Sequence, residues 1–273
     1  MVLVLAVAPQ PAQARHKLTY RPSEGVLEDL LDVGEIVGFG FAKQFAGVES
    51  IALMGLTTIV ASPLGREMDD PIQGWFTTER ADGTFKDTEK RLPNGLTNAL
   101  SVAGEVMAVP WWEAALYGLG RSHSDHRLVA FAKDALATHL VVGAEVQLLK
   151  AAFTRDRPDG TEPSSVVKRL FADGDNSFPA RHAMGFWVLG FKAWDYGYQT
   201  AAVAGFALGT AVSVARVAQA EHFATDVLTT LLLSWIASQG TERASRTILL
   251  PVVSTAPARE GGSFFGFLLT GAW

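Results

Sequence analysis

The sequence predicts an all-α protein, built as a single helical bundle with a small C-terminal β-hairpin. Apolar stretches of helical length alternate with turns rich in Pro, Gly and Asp along most of the 273 residues. Two strand-like apolar runs follow Gly240, at 248–253 and 264–270, and predict the hairpin. A hydrophobic fraction of 48%, with 7 Trp and 16 Phe, supplies enough material for one core.

The N-terminal third holds a candidate export signal, a capped helix and a polar stretch. Residues 1–14 join a short apolar run to a small-x-small cleavage site, which is typical of a secretory signal peptide and predicts a periplasmic or secreted protein. Ser23-Glu24-Gly25 predicts a helix that begins near Val26. Residues 66–95 are polar and broken by Pro and Gly, so they predict a long loop within one domain that spans 15–273.

The rest of the chain is predicted to be mostly helical. Residues 96–120 predict a helix that is kinked or broken at Pro110. A loop is expected from Arg155 to Phe178, because that stretch contains repeated Asp, Pro and Gly residues. Apolar spacing predicts four further helices, at about 127–153, 180–195, 198–215 and 223–240.

Composition excludes several classes of function. The formal net charge is −5 and no long basic run is present, so nucleic-acid binding has no electrostatic support. The chain contains 0 Cys, which excludes disulfides, thiolate nucleophiles and cysteine-ligated metals. The cluster from Arg121 to His126 contains residues of the kinds that bind metals, but no fourth ligand is evident and a closed site normally needs four. This favours a polar turn over a metal site. No metal ion or other cofactor is therefore expected.

Membrane insertion is the alternative to a soluble helical core. A membrane span takes about 20 mostly apolar residues. Only residues 196–215 lack charge for that long, and the other apolar runs are interrupted by charged residues such as Lys192 and Asp195. The interruptions favour a soluble protein. A membrane-associated location, a peripheral membrane contact and a homo-oligomer stay open.

Three short clusters contain nearly all the residues that are able to do chemistry together. The first runs from Lys150 to Arg157-Pro158, the second is Pro179-Ala180-Arg181-His182, and the third contains Arg216, His222 and Asp226. Lys supplies a point charge and Arg a planar fork, and both suit the oxygens of a tetrahedral anion. Cations arranged around histidines therefore predict a phosphate site.

The clusters resemble the signature of the type 2 phosphatidate phosphatase superfamily, which includes class A acid phosphatases, lipid-phosphate phosphatases and vanadium haloperoxidases. Its pattern is Lys, six residues, Arg-Pro; then Pro-Ser-Gly-His; then Ser-Arg, five residues, His, three residues, Asp. The first cluster matches completely, whereas Ala215 replaces the Ser of the third. In the second, Ala180 and Arg181 replace Ser and Gly, so one hydroxyl donor is lost and one side-chain cation is added.

The resemblance implies a helical fold and a metal-independent phosphatase that works through a phosphohistidine. His222 is then the nucleophile, and Asp226, four residues later, accepts its Nδ1–H. His182 protonates the leaving oxygen and later activates water. The resemblance and the charges together assign phosphate binding to four cations, which are Lys150, Arg157, Arg216 and Arg181.

Three functions stay open at this point. The leading one is a phosphatase acting on phosphomonoesters or pyrophosphates, with a lipid, isoprenoid or small molecule as substrate. The second is a vanadate-dependent haloperoxidase, in which vanadate is the cofactor; in the phosphatase, vanadate is only a phosphate mimic. The third is a non-catalytic envelope protein with a decayed anion site, which the replacements Ala180 and Arg181 keep open.

Overall fold

The computed structural model describes residues 25–47, 50–51, 54–55, 63–86, 91–162, 176–245, 249–253 and 265–269. The predicted signal segment 1–14 lies outside these residues. Eight α-helices occur in the described part: α1 Val26–Lys43, α2 Pro63–Phe76, α3 Asn94–Met107, α4 Trp111–Ser122, α5 His126–Ala152, α6 Met184–Asp195, α7 Gln199–Ala218 and α8 Ala224–Ser245. A 3-10 turn, Gln44–Ala46, follows α1. The predicted all-α class is confirmed.

Two small antiparallel hairpins accompany the helices. The first pairs β1, Thr78–Glu79, with β2, Phe85–Lys86. The second pairs β3, Leu249–Val253, with β4, Phe265–Leu269, and confirms the hairpin predicted at the C-terminus.

The core lies around α5 and α6. α6 packs against α5, α7 and α8, while α1 packs against α5 and α8. Buried apolar side chains from these helices form the largest cluster, which includes Phe131, Val142, Val188 and Leu233. Burial of this surface supplies the main driving force for folding, at about 25 cal/mol per Å² of apolar area.

Helix α3 approaches the start of α6 very closely, and two glycines permit this contact. A Cβ on Gly104 would lie 2.8 Å from the carbonyl oxygen of His182. A Cβ on Gly185 would lie 1.8 Å from the carbonyl oxygen of Met107. No side chain fits in either space. Both contacts hold α3 beside His182, and this places α3 at the rim of the site described below.

The long loop predicted at 66–95 is wrong in its first part, because residues up to Phe76 belong to helix α2. The sequence does not predict this helix because its buried side chains are polar: Asp69 and Gln73, one turn apart on α2, are each 0% exposed, and so is Thr77, just after the helix. Gln73 donates from Nε2 to the carbonyl oxygen of Val217, at 2.8 Å. A search for apolar periodicity cannot detect such a helix.

Two helices are long and apolar enough to cross a membrane by length and composition alone. They are α5 and α7, with mean hydropathies of 1.2 and 1.6 in their most apolar windows. Half of each window is buried inside the bundle. Large apolar side chains are nevertheless exposed on every described α-helix except α6.

Candidate active site

One cavity of about 250 Å³ gathers most of the residues that the motifs predicted. It contains four cations, two imidazoles and two carboxylates: Lys150, Arg157, Arg181, Arg216, His182, His222, Glu105 and Glu221. Six of the seven predicted site residues therefore line one space, although they are spread over 73 positions of the chain from Lys150 to His222. Asp226 is the exception, because it lies behind the cavity wall.

The end of helix α5 and the loop after it hold the first cluster. Lys150 lies in the last turn of α5, and its Nζ donates to the carbonyl oxygen of Asn176 at 2.9 Å. Asn176 donates back to the carbonyl oxygen of Lys150, also at 2.9 Å. Arg157 lies in a turn in which the amide of Gly160, at a φ of 87°, donates to its carbonyl oxygen. Glycine adopts this positive φ without strain.

Helix α7 ends at the cavity and presents Arg216 from its last turn. Nη1 of Arg216 donates to Oγ of Ser101 at 3.3 Å and to Oε1 of Gln219 at 3.2 Å. Its Nη2 lies 3.3 Å from Oε2 of Glu221. Contacts from α3 and from the turn after α7 thus orient the guanidinium toward the cavity.

His182 lies just before α6 rather than in its first turn, since the helix begins at Met184. Burial and, next, the positive charge of Arg216 lower the pKa of His182 to about 2. The centroids of the His182 and His222 rings are 5.8 Å apart. The two imidazoles therefore face one shared space, with the cations around it.

His222 is 2% exposed, and its hydrogen-bond partner differs from the predicted one. Nδ1 of His222 lies 2.6 Å from the carbonyl oxygen of Ser177, but 3.8 Å from Oδ2 of Asp226. The prediction assumed one helix face, whereas α8 begins only at Ala224, after His222. A carbonyl oxygen accepts only, so Ser177 fixes a proton on Nδ1 and leaves Nε2 with its lone pair.

Asp226 supports the site from behind instead of contacting the imidazole. Its Oδ2 accepts a short hydrogen bond from Oγ of Ser177 and a second from the amide of Phe223, at 2.8 Å. Its Oδ1 accepts from Nη1 of Arg155 at 2.5 Å. These contacts satisfy the carboxylate and hold Ser177, whose carbonyl oxygen orients His222.

The sequence reasoning missed Arg155 and Asp69, which complete this support. Nη2 of Arg155 donates to Oδ2 of Asp69 at 2.6 Å, and the amide of Thr225 donates to Oδ1 of Asp69 at 2.9 Å. The guanidinium also lies over the Phe223 ring, 4.3 Å from its centroid. Arg155 has a sequence signal in its place inside the first cluster, whereas Asp69 has none, because the sequence around it predicts a loop.

The structure also describes Ala180 and the polar cluster at 121–126, which the sequence analysis singled out. Ala180, which replaces the usual Ser, is 1% exposed, and its amide donates to the carbonyl oxygen of Asp226 at 3.3 Å. The polar cluster at 121–126 forms a turn in which Asp125 caps α5 by accepting from the amide of Leu128. Within the described ranges, no group of three or more His, Asp or Glu residues is arranged to hold a metal ion.

Comparisons with known proteins match part of the chain to one family. No curated protein matches the chain. Among solved structures, a transmembrane PAP2-type phosphatidylglycerolphosphate phosphatase from Bacillus subtilis is similar, with 16% identity over 70% of this chain and 92% of that chain and a TM-score of 0.48. Residues 131–247 match the family model of the PAP2 superfamily, and this match confirms the resemblance that the three motif clusters predicted.

Proposed function

We propose that this protein hydrolyses phosphomonoesters, lipid phosphates among them, through a phosphohistidine formed on His222. The family match over 131–247 implies a phosphatase. The observation that carries the finer proposal is the single cavity in which four cations surround two imidazoles. Such an arrangement suits the binding of a phosphoryl group and its transfer to a ring nitrogen.

The cations bind and stabilise the phosphoryl group in this mechanism. Lys150, Arg157 and Arg216 contact its three non-bridging oxygens, on which charge develops in the transition state. Arg181 adds a fourth positive charge at the cavity. Because fixed cations supply the charge that a divalent metal supplies in other phosphatases, hydrolysis proceeds in the presence of EDTA.

His222 acts as the nucleophile in the first step. Its Nε2 lone pair forms a bond to phosphorus while the bond between phosphorus and the ester oxygen breaks, and that electron pair stays on the leaving oxygen. His182 gives its proton to this oxygen. In the empty cavity, burial and then the neighbouring cations lower the pKa of His182. The negative charge of a bound phosphate offsets the cations, so His182 holds a proton while the substrate is bound.

Water completes the cycle in the second step. Neutral His182 takes a proton from water as the oxygen attacks phosphorus, and the bond from phosphorus to Nε2 breaks. The electron pair returns to His222, and inorganic phosphate leaves. When phosphate leaves, His182 returns this proton to solvent, and it takes up a proton again when the next substrate binds.

The exposed face of helix α3 supports a substrate with an apolar group. Val102 and Val106, one turn apart on α3 and beside Glu105 at the cavity rim, are 58% and 48% exposed. Val109, just after the end of α3, is 57% exposed. A lipid phosphate is able to place its headgroup in the cavity and its chain along this strip. Burial of apolar chain against the strip adds to the affinity that the phosphate supplies.

Hydrolysis of p-nitrophenyl phosphate and of phosphatidic acid in mixed micelles tests the proposal. With EDTA present, we expect the wild type to hydrolyse both, and the replacement His222→Ala to lower kcat by at least about 10³-fold. Alkaline quenching and mass spectrometry of the wild type should locate a phosphoryl group on His222, since phosphohistidine survives base.

The matched control is His123→Ala, which removes an exposed imidazole from the turn before α5. It should hydrolyse both substrates at the wild-type rate. If His222→Ala keeps wild-type kcat, or if neither substrate is hydrolysed by the folded wild type, the proposed function is wrong.

A further inference from the structure

Glu221 places a carboxylate among the cations of the cavity, although no motif cluster includes it. Its Oε2 is hydrogen bonded to Nη1 of Arg157 and lies 3.3 Å from Nη2 of Arg216. One oxygen therefore bridges two guanidinium groups that line the same space. A phosphate oxygen would make the same contacts, because guanidinium donors match carboxylate and phosphate equally well.

The backbone of the turn after α7 holds Glu221 in this position. Ala220 has a φ of 57°, a left-handed conformation that costs a non-glycine residue about 1 kcal/mol. Its amide donates to the carbonyl oxygen of Val217 at 3.1 Å, and the amide of Glu221 donates to the carbonyl oxygen of Arg216 at 3.1 Å. The strained residue therefore turns the chain back so that Glu221 lies beside Arg216. Retained strain next to a site indicates a functional constraint.

The second carboxylate of the cavity has different contacts. Glu105 lies at the rim, its side chain is 61% exposed, and its Oε1 is 3.5 Å from Nε2 of His182. Glu221 is 29% exposed and contacts the two arginines. Both carboxylates lower the positive potential of the cavity, but only Glu221 occupies donors that a phosphate needs.

We infer that Glu221 is a resident anion that competes with phosphate for Arg157 and Arg216. This inference rests on the proposed function in one respect, namely that phosphate binds in this cavity. A substrate must displace the carboxylate from the two guanidinium groups before it binds fully. After hydrolysis, Glu221 returns to them and speeds the release of inorganic phosphate. The residue thus limits product inhibition at a site where four cations would otherwise retain a dianion.

Binding of inorganic phosphate to the full-length protein tests the inference directly. Calorimetry should show that Glu221→Gln, which removes the charge and keeps the shape, lowers the Kd for phosphate by at least about tenfold, or about 1.4 kcal/mol. Glu221→Asp, whose shorter carboxylate keeps the charge, should give a Kd between those of the wild type and Glu221→Gln. Vanadate, as a second tetrahedral anion, should follow the same order.

Glu105→Gln is the matched control, since it removes one negative charge from the same cavity without removing a guanidinium contact. Its Kd for phosphate should fall less than about threefold. An equal fall in Glu105→Gln and Glu221→Gln would show that only the net charge matters. A Kd that rises in Glu221→Gln would show that the carboxylate orients the arginines. Either result overturns the inference, as does a failure of phosphate to bind to any variant at millimolar concentration.

The binding assay also separates this inference from the proposed function. If Glu221→Gln binds phosphate more tightly while the wild type hydrolyses no substrate, the competition stands and the phosphatase proposal fails. If the wild type is an active phosphatase but the Kd for phosphate does not change in Glu221→Gln, only the competition fails. In an active wild type, the product inhibition constant should fall in Glu221→Gln by the same factor as the Kd.

Discussion

Burial and neighbouring cations keep the two imidazoles of the cavity neutral. The pKa of His182 falls to about 2, first because of burial and then because of Arg216. The pKa of His222 falls well below its usual value for the same two reasons, in the same order. A neutral His222 is the nucleophilic form, so a fall in pH toward the usual histidine pKa of about 6.5 does not remove the nucleophile.

Proton NMR of the free protein tests the state of these rings. The ring resonances of His182 and His222, assigned with His182→Gln and His222→Gln, should show no titration between pH 5.5 and 8. A midpoint near pH 6.5 for either ring would contradict the expectation. Saturation with phosphate should move the midpoint of His182 upward, since the anion offsets the charge of Arg216.

Glu145 is a second residue whose charge state depends on burial. It lies on α5 and is 6% exposed, and burial raises its pKa to about 7 against a partial lowering by Gln44. Since this folded-state pKa is above the unfolded one, the stability linked to it is fully present below pH 4.5 and is lost as pH rises through about 7. The loss amounts to about 3 kcal/mol.

Glu145→Gln should remove this dependence, because the amide stays neutral. Relative to the wild type, its free energy of unfolding should rise by about 2.5 kcal/mol between pH 5 and pH 8, as measured with urea at each pH. Glu35→Gln, at an exposed position of α1, is the control and should show no such difference. A constant difference across this pH range would mean that Glu145 titrates in the folded state as it does in the unfolded chain.

Helix α2 supports the site through polar contacts. Asp69 receives hydrogen bonds from Arg155 and Thr225, and Arg155 in turn binds Asp226. All of these groups are buried. A buried carboxylate that neutralises a buried guanidinium is costly to remove, because the cation is left undercompensated.

The replacement Asp69→Asn should therefore lower the free energy of unfolding by about 3 kcal/mol in urea denaturation. Asp70→Asn is the matched control, because the next residue of the same helix is exposed; its effect should stay within about 0.5 kcal/mol. Equal effects of the two replacements would show that the Arg155 contact contributes nothing to stability.

Apolar periodicity in the sequence made most of the helices predictable. The four helices from α5 to α8 were expected within five residues of their observed bounds, and the break at Pro110 separates α3 from α4. These helices bury apolar faces, which leave a periodic signal in the sequence. The buried side chains described on α2 include Asp69 and Gln73, and polar residues of that kind usually indicate a solvated loop.

The sequence predicts residues that the fold gathers in one cavity, but it does not predict the hydrogen bonds among them. Spacing identified the cations and the two histidines, because the motif preserves their order along the chain. The predicted hydrogen bond from His222 to Asp226 was wrong, because residues four apart contact each other reliably only when both lie on one helix. Glu221 was missed because a carboxylate beside a histidine is ordinary in sequence, and only the fold shows that it contacts Arg157.

At the scale of the whole molecule, the exposed apolar side chains form surface that a lipid bilayer or a partner protein is able to cover. Exposed Leu, Val, Phe, Ile, Met or Trp residues occur on every described α-helix except the central α6. Soluble monomers rarely expose large apolar patches unless these bind a partner or a membrane. Helix α1 is the clearest case, since Leu27 is 72% exposed and Leu31, one turn later, is 66% exposed.

We expect the wild type to float with phosphatidylglycerol–phosphatidylcholine vesicles in a density gradient. Leu27→Glu with Leu31→Glu should lower the bound fraction by about tenfold or more, because burial of one leucine contributes about 1.5–3 kcal/mol. The control, Thr78→Glu with Ala81→Glu, adds the same two charges at exposed positions of the β1–β2 hairpin without removing large apolar surface. Equal loss of flotation in both variants would assign the effect to charge repulsion. A wild type that stays unbound at every lipid concentration would contradict the expectation that the apolar surface of α1 contacts lipid. The lipid-phosphate substrate would then have to reach the cavity from micelles or from solution. Among the described helices, the exposed valines of α3 would be the one apolar surface left to bind its chain.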